Sequence, residues 1–492
     1  MYEKVESFVA GCRPLRLGAG AKFAIVLVAL AALCSCAVAQ NNCTGENTAD
    51  YWMNKAQEFS RNGSIEEAVL AYDQVLEIDP ENETAWLHKA LYLYVLGKEI
   101  EATEAYEKVI GLADEDLKKN PQDAKAWQNK AIALNNLNRN EEAAQAYNKA
   151  LEIFNQRIEK DPEDADAWMG KANVLTDLGQ WEEALEAYDR VTEIEPQNRQ
   201  AWERKAEFLS KIGHIDESMV AFDKAINLTS TGETAELADI WMAKSETLAF
   251  ANRQNEALEA IDKVTELEPG NGLAWRFKGQ LLGMMGKHNE SVSAYDEALE
   301  QNPKDATTWR FKAWALVEMG RYNESLEAYD KAVELTPESD AKELAGLLLD
   351  KGEALSETGR ISDAEAAFDK ALDTLDAALQ NDSSDMDLLF LKGRTLFKLA
   401  RYDDAIAVYD QIIETSPNIE PYITTTNAWM AKGDALLALS RNEEALDAYN
   451  NAIELGPHWD DAWKGRGEAQ RELGQVYNAT MSFYVAERLG HE

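Results

Sequence analysis

The sequence predicts an all-α solenoid, a stack of helical hairpins sharing one core. Three observations carry that prediction. First, tryptophan recurs in register at Trp52, Trp86, Trp127, Trp168, Trp202, Trp241, Trp275, Trp309, Trp429 and Trp463. Leu348 and Leu389 fill the two gaps, giving twelve units stepped by 34, 39, 40 or 41 residues. Second, small residues and aromatics recur in step with the tryptophan. Third, glycine and proline are scarce, 27 and 11 in 492 residues, while the 45% apolar content is that of a folded chain.

With the tryptophan as position 4, position 8 is always small, from Ala56 to Gly467, and position 11 is leucine in ten units. Positions 4, 8 and 11 form one face of a first helix at the 3.6-residue period. Position 20 is alanine, or serine at Ser218, Ser291 and Ser325; position 24 is aromatic in eleven units; position 27 is Ala, Val or Ile. These make one face of a second helix, and the small residues let the two backbones approach. Glycine at position 15 in eight units stops the first helix, and prolines such as Pro80, Pro196 and Pro269 stop the second. Such a hairpin leaves one face bare, and stacking on its neighbours covers it. Steps of 41 residues add two helical turns to the second helices of units two, three and nine, as at Gly111–Asn120 and Leu151–Lys160. In the 39-residue step after unit five, 229–232 predicts a break and 233–240 a lengthened next helix. Ser416–Thr426 is the one irregular connection.

The pattern W-x2-[KR]-[small]-x2-L…A-x3-[YF]…P resembles the tetratricopeptide repeat from Ala49 to Glu492. The resemblance implies a right-handed superhelix and a protein-interaction scaffold, with first-helix positions 2, 5, 9, 12 and 13 lining the concave surface. Most units place ordinary polar residues there. Units seven, eight and ten instead offer Arg276, Met284, Arg310, Trp314, Phe390, Arg394 and Phe397, with Phe250 nearby. Arginine and aromatics anchor interfaces, so these are the expected binders of a protein or peptide. A second apolar set, Met53, Leu87, Leu91, Tyr94 and Val95, is expected to pack on something at the N-terminal end. The chain departs from the family at position 7, which is Lys or Arg in all twelve units, while position 25 is acidic in nine. A ladder of ion pairs, with lysine stems on tryptophan, is the expected structure.

Ahead of the repeats, residues 23–33 are wholly apolar, with Arg13, Arg16 and Lys22 before them and Ala37-Val38-Ala39 after. That is a secretory signal in outline, cleaved before Gln40, with an uncleaved or lipid-linked membrane anchor as the alternatives. The expected organisation is a leader at 1–39, a linker at 40–48 and a single twelve-repeat solenoid at 49–492. Three of the four cysteines lie in the leader, and Cys43 alone survives cleavage, so the folded body has no internal disulfide. Asn-x-Ser/Thr occurs eight times, where composition predicts roughly three. Besides Asn42, the asparagines expected to carry sugar are Asn62, Asn82, Asn227, Asn289, Asn323, Asn381 and Asn478.

The net charge of −40 argues against nucleic acid as a partner. Five histidines lack metal-ligand spacing, no glycine-rich phosphate loop is present, and no segment is left to build a closed catalytic site. The expectation is a non-enzymatic scaffold without metal or cofactor, exported to the cell envelope. The rival is a structural envelope component that self-associates without a ligand site. Phe483 and Tyr484, with Val485, are expected to form an apolar end on unit twelve that docks a partner or a second copy.

Overall fold

The computed structural model describes residues 48–61, 64–230, 232–380, 383–415 and 423–490. The expected leader, nearly all of the linker, Asn62, Asn381 and the connection at 416–422 lie outside them. Among the described residues there are twenty-four helices and no strand, forming the twelve expected hairpins. They fall into two compact units, repeats one to seven up to Pro303 and repeats eight to twelve from Lys304.

Repeat two shows how one hairpin is built. The Asn82 side chain accepts the Ala85 N–H at 3.0 Å and caps the first helix, Glu83–Val95. Gly97 then takes φ +71°, and Lys98 N–H donates to the Leu93 carbonyl at 2.9 Å, closing that helix. Every described position 15 has positive φ, including Asn138, Asn252, Ala400 and Ser440, where glycine is missing. The small residue at position 8 lies under the aromatic ring of position 24. A Cβ at Gly279 would fall 2.5 Å from the Tyr295 ring, so the ring sits closer here than an alanine would allow without its shifting.

The insertions run as expected. Second helices Glu99–Lys119 and Asn140–Lys160 have 21 residues, and Ile361–Leu379 has 19. After the break beyond Leu228, Thr234–Phe250 is lengthened to 17.

Successive repeats are joined by a recurring staple. In at least six repeats the tryptophan indole N–H donates to the carbonyl of the proline that closes the preceding repeat, at 2.8–3.1 Å. The position-7 lysine lies over that indole, as Lys89 does at 5.0 Å from the Trp86 ring, and its ammonium reaches an acid of the preceding second helix. Lys89 meets Asp73 at 2.5 Å, Lys205 meets Asp189 at 2.7 Å, and Lys244, Lys278, Lys351 and Lys432 do the same with Asp223, Asp262, Asp330 and Asp410. Position 25 is corrected where the second helix is extended. There the partner is the residue seven further on, Asp114 for Lys130 and Asp376 for Lys392, because two extra turns restore the same face. Glu107, the position-25 acid of repeat two, pairs with Arg139 instead.

Within each unit the first helices of several consecutive repeats touch, as those of repeats five and six do, and no pair of second helices comes as close. The first helices therefore line the inside of the curve. In the first unit, Gly272–Met284 of repeat seven also reaches Ala49–Arg61 of repeat one, so seven repeats complete a turn.

Candidate functional site: the inner surface of the first helices

Repeats five and six bring a cluster of carboxylates together on the inner surface. Arg199–Lys211 places Glu203 at position 5 and Glu207 at position 9; Thr234–Phe250 places Glu246 at position 9 and Phe250 at position 13. Glu203 is 6% exposed and accepts from Arg199 at 3.1 Å; Arg204 donates to Glu207 at 3.2 Å. Glu246 is half-buried and has no ion-pair partner among the described residues. Burial, then the Glu207 charge, pushes the Glu203 carboxyl up to about 7, and the same two causes push Glu246 up to about 7. Burial also raises Glu207, against the pull of Arg204. Phe250 stands 47% exposed beside them. This segment was legible in the sequence as acids at groove positions of adjacent units, a weak signal in a chain with 89 acidic residues.

The residues singled out from the sequence are placed as follows. Arg276 and Met284 are half-buried on the first helix of repeat seven, in the first unit. The remaining five belong to the second unit. Arg310 is committed within the chain, donating to Asp350 at 2.8 Å and to Glu343 at 3.0 Å. Arg394 faces Glu353 at 3.5 Å, and Lys398 shares that carboxylate at 3.1 Å. Phe390 is 7% exposed and lies 5.9 Å from the Tyr409 ring, so it is core and not groove surface. Trp314 is half-buried near Phe311, and Phe397 makes an edge contact with Tyr402 at 5.2 Å. Two arginines that read as ligand anchors are thus already paired with acids of the neighbouring repeat. Leu87 and Leu91 of the N-terminal apolar set are likewise buried core, while Tyr94 is exposed. At the other end, Phe483 lies half-buried against Gly467 of its own repeat. Tyr484 is exposed, together with Val476, Tyr477 and Met481.

Among the described residues no group of His, Cys, Asp and Glu is arranged to hold a metal ion, and no helix is long and apolar enough to cross a membrane.

The pattern of the tetratricopeptide repeat matches residues 49–82, 124–157, 143–208, 279–340, 349–418 and 430–484, more than half of the chain. This chain belongs to the tetratricopeptide repeat family. As a tetratricopeptide repeat protein it has the fold of a scaffold for protein–protein interaction, a family of generally non-catalytic proteins. It is 38% identical over 58 residues to an uncharacterized protein of Methanocaldococcus jannaschii, across 12% of this chain and 67% of that one. Among solved structures it is similar to YrrB, a tetratricopeptide repeat protein with an unusual peptide-binding site, at 23% identity, 38% of this chain, 94% of that one and a TM-score of 0.32. It is also similar to MamA, at 18% identity, 33% and 93% coverage and a TM-score of 0.30. Yeast Tom70 aligns over 90% of this chain and 92% of its own, at 17% identity and a TM-score of 0.42.

Proposed function

We propose that this protein is an exported, non-enzymatic scaffold that captures a basic segment of a protein partner on the first helices of repeats five and six. One observation carries the reading: the carboxylates there outnumber the cations facing them. Glu203, Glu207 and Glu246 share Arg199 and Arg204, and Glu246 has no cation of its own among the described residues. Holding carboxylates together and partly out of water costs folding free energy. An incoming lysine or arginine relieves that cost, and Phe250 offers an apolar contact for its stem. A partner of opposite sign is also steered toward a chain of −40 charge. Export rests on the leader at 1–39 and on the excess of sequons.

The test is a titration of the mature chain, from Gln40 onward, with a lysine- and arginine-rich peptide and with its charge-reversed counterpart. Binding of the basic peptide alone, weakened by added salt and by Glu207→Gln with Glu246→Gln, supports the reading. Equal binding by that double variant overturns it. Fractionation that finds the chain in the cytoplasm with Lys22 retained overturns export. Self-association through repeat twelve is a second proposal, favoured by exposed Tyr477, Met481 and Tyr484. Sedimentation of the wild type and of Tyr484→Ser checks it, and a wild type monomeric at high concentration refutes it.

A further inference from the structure

We propose that the second helices carry N-linked sugar at Asn227, Asn289, Asn323 and Asn478, so that glycans coat the outer side of the hairpins and leave the first-helix groove bare. The inference rests on the export reading, because the transferase and its sugar donor lie across the membrane. All four asparagines are exposed, and all four lie on second helices. The side-chain amides of Asn227, Asn289 and Asn323 make no hydrogen bond among the described residues, and that of Asn478 donates only to the exposed Gln475 at 3.2 Å, without capping a helix. Asn82 differs: its side chain caps a helix and donates to Asp79 at 3.1 Å, so the fold already explains it, and it is not among the proposed sites.

The decisive residue is Ser325. Position 20 must be small, and nine repeats use alanine there. Ser218 and Ser291 use their hydroxyls in the fold, each donating at 2.7 Å to the carbonyl of position 8. Ser325 is fully buried, and its hydroxyl has no hydrogen-bond partner among the described residues. Packing would be served better by alanine, so folding gives no reason for the oxygen. The sequon Asn323-Glu324-Ser325 does give one. Asn289 holds the same register in repeat seven, with Ser291 after it.

The chemistry needs a lipid-linked oligosaccharide as donor. The asparagine amide nitrogen bonds to the anomeric carbon and gives up one proton to the transferase. The bond from that carbon to the lipid phosphate oxygen breaks, and the lipid phosphate leaves with the electron pair. Transfer precedes folding, since the helix afterwards holds the sequon backbone in its own hydrogen bonds.

The experiment is intact-mass and glycopeptide mass spectrometry of the full chain produced in its native host. The expected result is one glycan at each of the four asparagines. Ser291→Ala and Ser325→Ala should each remove one glycan and leave the fold intact, since each installs the residue of nine other repeats. Ala257→Ser should add one, because it completes a sequon beginning at Asn255, which is exposed and holds the same register in repeat six. A chain that has lost its leader but weighs no more than the bare peptide overturns this proposal and leaves export standing. An unmodified cytoplasmic chain with its leader intact overturns both.

Discussion

Replacing Glu246 by glutamine should make the protein more stable and a poorer binder. The Glu246 carboxyl, ordinarily near 4.5, is pushed up to about 7 by burial and by the Glu207 charge. A raised carboxyl costs the folded state nothing at pH values below 4.5, where both folded and unfolded forms are protonated. The cost grows as the pH rises from 4.5 to 7, where the unfolded chain ionises and the folded group does not, and it is complete above 7. At about pH 8 the full displacement corresponds to about 3 kcal/mol. Glu246 is half-buried, so water screens part of that cost, and glutamine keeps some desolvation penalty of its own. A gain of about 1–2 kcal/mol remains. For a unit of this size that raises the unfolding midpoint by about 2–8 °C. Thermal melts followed by circular dichroism near pH 8 and near pH 4 give the test. The gain should be present at the higher pH and nearly gone at the lower. A variant that is no more stable near pH 8, or equally stabilised at both pH values, would refute the claim that this carboxylate is held at a cost. The same substitution should weaken capture of a basic peptide, the exchange of stability for function that a binding site imposes.

The fold makes three further predictions. His88 is 2% exposed and stacks on Tyr72, its Nδ1 has no hydrogen bond among the described residues, and burial lowers it to about 4. Stability should therefore fall as the pH drops from 6.5 toward 4, by about 3 kcal/mol at the limit, and the difference between wild type and His88→Phe across that window isolates it. Ala400 adopts φ +55° where eight repeats have glycine, so Ala400→Gly should raise stability by about 0.5–1 kcal/mol in a denaturant melt, the left-handed strain outweighing the added unfolded-chain entropy. Lys89→Met should cost under about 1 kcal/mol, because its pair with Asp73 is partly exposed and the stem's contact with Trp86 survives; a double-mutant cycle with Asp73→Asn measures the pair.

The helices, their stops and their small-against-aromatic packing were legible because each repeats twelve times with the period of a helix. Even the ladder was legible as lysine at position 7 and acid at position 25. Which repeat supplies the acid was not, since periodicity reports a face and not the neighbour that covers it. The shift to Asp114 and Asp376 has a sequence signal, an acid seven residues on in an extended helix, that becomes meaningful only once the stacking is known. The inner surface was the least legible part. Arg310 read as an anchor, yet its partners Glu343 and Asp350 lie a repeat away in sequence. Phe390 occupies a groove position by register but turns into the core beside Tyr409. Glu246 looked like one more surface acid in a chain rich in them. Its significance comes from Glu207, which the fold brings beside it from the repeat before.

The measurement that bears most directly on the proposed site is hydrogen exchange on the mature chain with and without a saturating lysine- and arginine-rich peptide. Bound peptide should slow exchange in Arg199–Lys211 and Thr234–Phe250, which carry Glu203, Glu207 and Glu246, and leave the second helices of the same repeats unchanged. Protection confined to the second unit or to the second helices, or no protection at saturation, would contradict the assignment of the groove in repeats five and six.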